Sequence, residues 1–178
     1  MIEKLSNGLL LRNSPIKYLI VFLLVTISRP VLSQSLPVFS DIPLTQATDY
    51  KKAEPAVLQA SVYILTTPFS KEDNARLLCV SFILKWMTGT PDYNFTFGES
   101  STKVLKDDAN LLGVYVAAMV KFSLENPDLS KDTKAVGVNA MTTVLNYCND
   151  PANNIKMTKP MKKLWEAKQE GKLAEELN

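Results

Sequence analysis

Histidine is absent from all 178 residues. That excludes the Ser-His-Asp and Cys-His catalytic arrangements and any His-ligated metal. Cysteine is scarce: Cys79 and Cys148 cannot by themselves complete a structural zinc site. The six glycines form no glycine-rich phosphate loop, and no cofactor motif is present. Long apolar runs are also missing, since residues 18–27 give ten apolar residues where a bilayer span needs about twenty. What remains is a chain of single-domain length with 46% hydrophobic residues, ordinary for a globular protein.

The basic balance of the whole chain comes from its beginning. Lys4, Arg12 and Lys17 precede the apolar run, and Val31, Leu32 and Ser33 offer the small or short residues a signal peptidase reads. Residues 1–33 therefore read as a secretory signal peptide with cleavage before Gln34; an uncleaved N-terminal membrane anchor is the alternative. Their removal takes four basic residues and one acid from totals of 20 and 18, leaving 16 against 17 and a formal charge of −1. Nothing in that charge argues for nucleic acid or acidic lipid as a partner. The expected location is the periplasm or the cell exterior, with no membrane span after cleavage.

Residues 34–49, with Pro37 and Pro43, read as an extended lead-in, and residues 50–178 as one helical domain. The best-defined element lies in residues 70–91. Ser70 is placed to cap a helix, and Ala75, Leu78, Cys79, Phe82, Ile83 and Trp86 form one apolar stripe. Leu77, Val80, Leu84 and Met87 widen that stripe almost all round, which predicts a central helix. Gly89, able to take positive φ, and Pro91 end it. A weaker copy of the frame returns in residues 130–151: Ser130, Lys131, Ala135 and Pro151 match Ser70, Lys71, Ala75 and Pro91. The preceding helices also end alike, at Pro68 and Pro127. The expectation is all-α: about five helices, as two stacked helical hairpins and a C-terminal capping helix. In detail, the first helix runs from Tyr50 with Pro55 in its first turn, and the third starts at Lys103 or Asp107. The fourth covers residues 131–149, and the last is capped by Thr158 and frays near Gly171.

Candidate chemistry is thin. The acid pairs Glu72–Asp73 and Asp107–Asp108 sit near helix starts, where capping explains them. Lys162 and Lys163 beside Trp165 are diluted by Glu166 and Glu170, so a solvated amphipathic helix accounts for them. A disulfide between Cys79 and Cys148 is disfavoured. If the matched helices run parallel and in register, the sulfurs are offset by about 13 Å, and bridging needs Cα atoms within about 7 Å. Two buried, inert thiols are the better reading. In residues 90–102, Tyr93, Phe95 and Phe97 alternate with polar residues at strand period. Packing as a lid over the preceding helix explains them; an exposed aromatic edge binding a partner or glycan is the functional reading. Asn94, Phe95 and Thr96 also fit the N-glycosylation pattern, a coincidence in a bacterial protein.

The stretch WMTGTPDYNFTF of residues 86–97 and the stretch CNDPANN of residues 148–154 resemble those of a group of exported helical proteins of Bacteroidetes-type bacteria. That resemblance implies location and fold, and the group supplies no activity. Tetratricopeptide-like arrays are similar only in architecture, with two helices per unit and proline after the second. The functional expectation is a non-enzymatic cell-envelope interaction or binding module. The alternative is a small-ligand binder or envelope enzyme with a pocket between the hairpins lined by Trp86, Tyr93 and Tyr115. No catalytic residue, metal ligand or cofactor is assigned.

Overall fold

The structure is a computed structural model that describes residues 36–177, which belong to one packed unit with a common core. The signal-peptide expectation for residues 1–33 lies outside the described residues. Among the described residues there are seven helices and no strand. They are α1 (Ala47–Thr66), α2 (Asn74–Gly89), α3 (Glu99–Leu105), α4 (Ala109–Glu125), α5 (Thr133–Asn149), α6 (Lys159–Gln169) and α7 (Leu173–Glu176).

Two of these exceed the expected five. The short α3 arises in a stretch whose sequence reads as loop, and the last helix divides in two. Gly171 adopts φ 74°, and Lys172 N–H bonds Ala167 C=O while Gly171 N–H bonds Lys168 C=O. That double closure is a Schellman stop, which α6 reaches two residues before the chain turns into α7. Lys163 Nζ then reaches Glu176 at 2.6 Å and ties α7 back onto α6.

Helix starts are set by aspartates rather than by the serines upstream. Asp73 accepts from Arg76 N–H at 3.0 Å and Asp132 from Ala135 N–H at 2.9 Å, so Ser70 and Ser130 lie in the loops. Asp108 caps α4 in the same way, and Thr158 caps α6 with Pro160 in its first turn. The first helix starts earlier than expected because Asp49 closes its N-terminus, accepting from the backbone N–H of Gln46 and Thr45. Pro55 consequently lies in the helix interior, on an exposed position where water can serve the unpaired Lys51 carbonyl.

The two helix pairs α1–α2 and α4–α5 are built on one plan. Each is joined by a seven-residue loop, 67–73 or 126–132, carrying proline at its second position. The cap Asp73 maps onto Asp132 at an offset of 59, whereas Pro91 maps onto Pro151 at 60. The extra residue is accommodated by α5, which has 17 residues against 16 in α2.

The hub is α4, not α2. It packs against α1, α2, α3 and α5, and buries a run from Val114 to Val120 without interruption. Gly113 lets α2 approach, since a side chain there would press on Val80. By contrast, α2 buries only the arc of Arg76, Cys79, Phe82, Ile83 and Trp86. Its remaining apolar residues include Leu77, Leu78 and Leu84, which stand in solvent. Gly89 does not take positive φ. Its lack of a side chain makes room for Tyr50, whose hydroxyl and adjoining ring edge a Cβ there would overlap. Residues 36–46 also pack: Phe39 stacks on Phe82 at 4.5 Å, and Leu44 is buried.

Candidate functional site

The aromatic stretch folds back as a clasp. Trp86 is fully buried, and its Nε1–H donates to the Tyr50 carbonyl at 2.9 Å, joining the end of α2 to the start of α1 and making that pair antiparallel. Tyr93 and Phe95 lie half-buried on the Trp86 ring, with centroids 5.5 and 6.1 Å away, and 6.2 Å from each other. Phe97 turns to a different partner, the ring of Tyr115 at 6.0 Å. The period of two thus directs Tyr93 and Phe95 onto the Trp86 ring without any strand partner, while Phe97 stays exposed at 40% beside Tyr115. Burial, reinforced by the nearby Glu54 carboxylate, pushes the Tyr93 hydroxyl above its ordinary pKa. Of the five aromatic candidates, Trp86, Tyr93 and Phe95 come together as one ring cluster, and Phe97 with Tyr115 as another.

A second polar centre was not singled out by the sequence. Arg76 is 4% exposed at the first turn of α2. Its Nη1 donates to Ile64 C=O at 3.0 Å, and its Nη2 to Thr67 C=O at 2.6 Å and the Tyr147 hydroxyl at 3.0 Å. A cation thereby serves the carbonyls at the negative end of α1. Tyr147 donates to the Thr67 carbonyl and lies beneath the guanidinium, 5.7 Å from it. Asp73 Oδ2 stands 3.7 Å from Nε, and Tyr63 donates its hydroxyl to the same carboxylate. Asn153 completes the corner by accepting from Phe69 N–H and donating to Tyr147 C=O. This explains the stretch of residues 148–154 as a staple: Asp150 turns the chain, Asn154 takes φ 48°, and Asn153 is carried into the interior. The signal was present in the sequence, because Arg76 falls on the same helical face as Cys79, Ile83 and Trp86. A lone arginine on an apolar stripe must find partners for its charge.

Cys79 and Cys148 are both free and buried. Burial pushes each thiol up to about 12, so neither forms the thiolate that nucleophilic or redox chemistry needs near neutral pH. Among the described residues, no group of three or more Cys, Asp or Glu side chains is placed to hold a metal ion. No described helix is long and apolar enough to cross a membrane.

Two surfaces are left over. The outward face of α2 presents Leu77, Leu78 and Leu84 at 60, 62 and 42% exposure around Ser81 and Lys85. Beside it, Leu36, Pro37, Val38 and Phe39 meet Ala75 and Leu78 in an open groove of about 340 Å³. The other is a cavity of about 180 Å³ between the start of α3, α4, the first turns of α5, and α7. It is lined by Thr96, Ser101, Tyr115, Lys134 and Gly137 among others. Tyr115 therefore lines a cavity, but one shared with Ser101 and Gly137 rather than with Trp86 and Tyr93.

No family model, curated protein or solved structure matches this chain.

Proposed function

We propose that this chain is an exported, non-enzymatic interaction module of the cell envelope. Its outward α2 face receives an apolar helix of another protein. The observation that carries this reading is the leucine face itself. Three leucines of α2 stand in water beside an apolar groove, a larger apolar exposure than Ser81 and Lys85 on the same face account for. Charge narrows the occupant. The whole of α2 contains no carboxylate, and Lys85 lies on the outward face, so the matching surface is an apolar stripe flanked by an acid. A lipid surface fits less well, since stable interfacial binding draws on clustered basic residues and this face offers one. Export is supported by the signal-peptide pattern of residues 1–33 and by the resemblance of residues 86–97 and 148–154 to exported helical proteins.

The test is photo-crosslinking in the native envelope, with the crosslinker placed in turn at Leu77, Leu78 and Leu84, and at Lys162 on α6 as control. The reading expects one and the same protein adduct from all three α2 positions, lost from the Leu84 position when Leu77→Ser and Leu78→Ser are introduced, and none from Lys162. Adducts to lipid, to a second copy of this chain, or equally from Lys162 would overturn it.

A further inference from the structure

We infer that the cavity between α3, α4, α5 and α7 is a binding site for a small monocarboxylate. Four independent features converge there.

The first is an unspent hydrogen. The Tyr115 hydroxyl and Ser101 Oγ are 3.2 Å apart, and the two residues are 0 and 3% exposed. Two hydroxyls bring two hydrogens, and the bond between them uses one. Neither hydroxyl makes any other hydrogen bond among the described residues. Whichever way the pair is oriented, one buried O–H is left to donate to a guest, and leaving it unmet is costly.

The second is the charge of the lining. Lys134 stands at the rim with Thr133, at the positive end of α5, and among the described residues no carboxylate side chain lines the cavity. A cationic guest would meet repulsion and no partner, whereas one negative charge meets Lys134.

The third is how the space is kept. Gly137 lies inside α5, where glycine costs about 1 kcal/mol relative to alanine. A methyl group there would stand 3.5 Å from the Tyr115 hydroxyl and project into the cavity. Gly98 and Ala174 keep two other walls low.

The fourth is size. The volume of about 180 Å³ slightly exceeds the roughly 150 Å³ that accommodates benzene in an engineered protein cavity. An acid between acetate and benzoate fits, its carboxylate bridging Lys134 and the hydroxyl pair. This site is independent of the α2 face, and either reading survives failure of the other.

The experiment uses the purified protein, titrated calorimetrically with acetate, lactate and benzoate, with the corresponding amides as uncharged controls. At least one acid is expected to bind with a Kd of about 1 mM or tighter, and its amide about tenfold more weakly. Lys134→Gln, on an exposed side chain that the fold does not need, should bring the acid's affinity to that of the amide. Gly137→Val should abolish binding of both while the helical circular dichroism persists. If Gly137→Val fails to fold, Tyr115→Phe replaces it, with a severalfold loss expected. Failure of all three acids to bind within about 1 mM, equal binding of acid and amide, or indifference to Lys134→Gln would each overturn the assignment.

Discussion

Helices α2 and α5 share a plan and meet different fates. Both follow a seven-residue loop with proline at its second position, and both are capped by aspartate. In α5 the positions Val136, Ala140 and Val144 are buried, and α6 and α7 pack on this helix. Their counterparts in α2, 59 positions earlier, are Leu77, Ser81 and Lys85, all exposed. The loop and cap chemistry thus sets where each helix begins, while the neighbours supplied by the rest of the chain set how much of it is buried. Polar Ser81 and Lys85 suit the uncovered face; Leu77, with Leu78 and Leu84, does not.

The largest blow to that comparison falls on the faces the two helices do have in common. Trp86→Ala in α2 should cost about 3–5 kcal/mol and Leu145→Ala, its counterpart in α5, about 2–5 kcal/mol, measured by urea unfolding. Equal large losses would affirm that the inner faces are alike.

Arg76→Ala comes next, and it separates the two helices because the counterpart position holds Ala135. Removing the guanidinium strands the Ile64 carbonyl and leaves the Asp73 carboxylate without its cation, for an expected loss of about 3–5 kcal/mol. A loss below about 1 kcal/mol would mean that water replaces the guanidinium and that the corner is not a staple.

The caps give a smaller and more discriminating contrast. Asp132→Ala should cost about 0.5–2 kcal/mol as an ordinary N-cap. Asp73→Ala should cost more than Asp132→Ala, because Asp73 also accepts the Tyr63 hydroxyl and faces Arg76. Equal losses in the two unfolding curves would reduce Asp73 to a cap alone.

Raised pH should act on both helices at once. Cys79 and Cys148 have folded pKa values of about 12 against the ordinary 9.0, so above pH 9 the unfolded chain releases protons that the folded one retains. Their contribution is intact below pH 9 and is lost as pH climbs from there through about 12, by up to about 1.4 kcal/mol per pH unit for each thiol. A Cys79→Ala/Cys148→Ala protein should show a shallower decline in unfolding midpoint over that window. The smallest effect is reserved for the outward face. Leu78→Ser should change stability by no more than about 0.5 kcal/mol, since the side chain is exposed in the free protein.

The all-helical class was legible because capping residues, prolines and apolar stripes are local signals. So was the doubling of the helix pair, although the expected matches of Ser70 with Ser130 and Ala75 with Ala135 are one residue out of register: the loops and caps align at 59, which sets Ala135 against Arg76. The central helix was assigned to α2 because its sequence is apolar almost all round; α4 holds that place instead, for reasons of neighbours that no single segment records. Among the aromatic candidates, the inward direction of Tyr93 and Phe95 followed from their spacing. The separation of Phe97 and Tyr115 from the Trp86 cluster required the actual path of residues 90–98. Arg76 was visible as a charge on an apolar face, but its partners are scattered from Ile64 to Tyr147.

By itself, then, the sequence determined the absence of histidine chemistry, the helical class, the paired plan and the points where the four long helices end. These depend on residues within a turn or two of each other. Only the tertiary structure decided which helix is central, which leucines stay wet, and that Ser101, Tyr115, Lys134 and Gly137 line one pocket. Those outcomes depend on burial and on meetings between residues far apart in the chain, which local propensity does not encode.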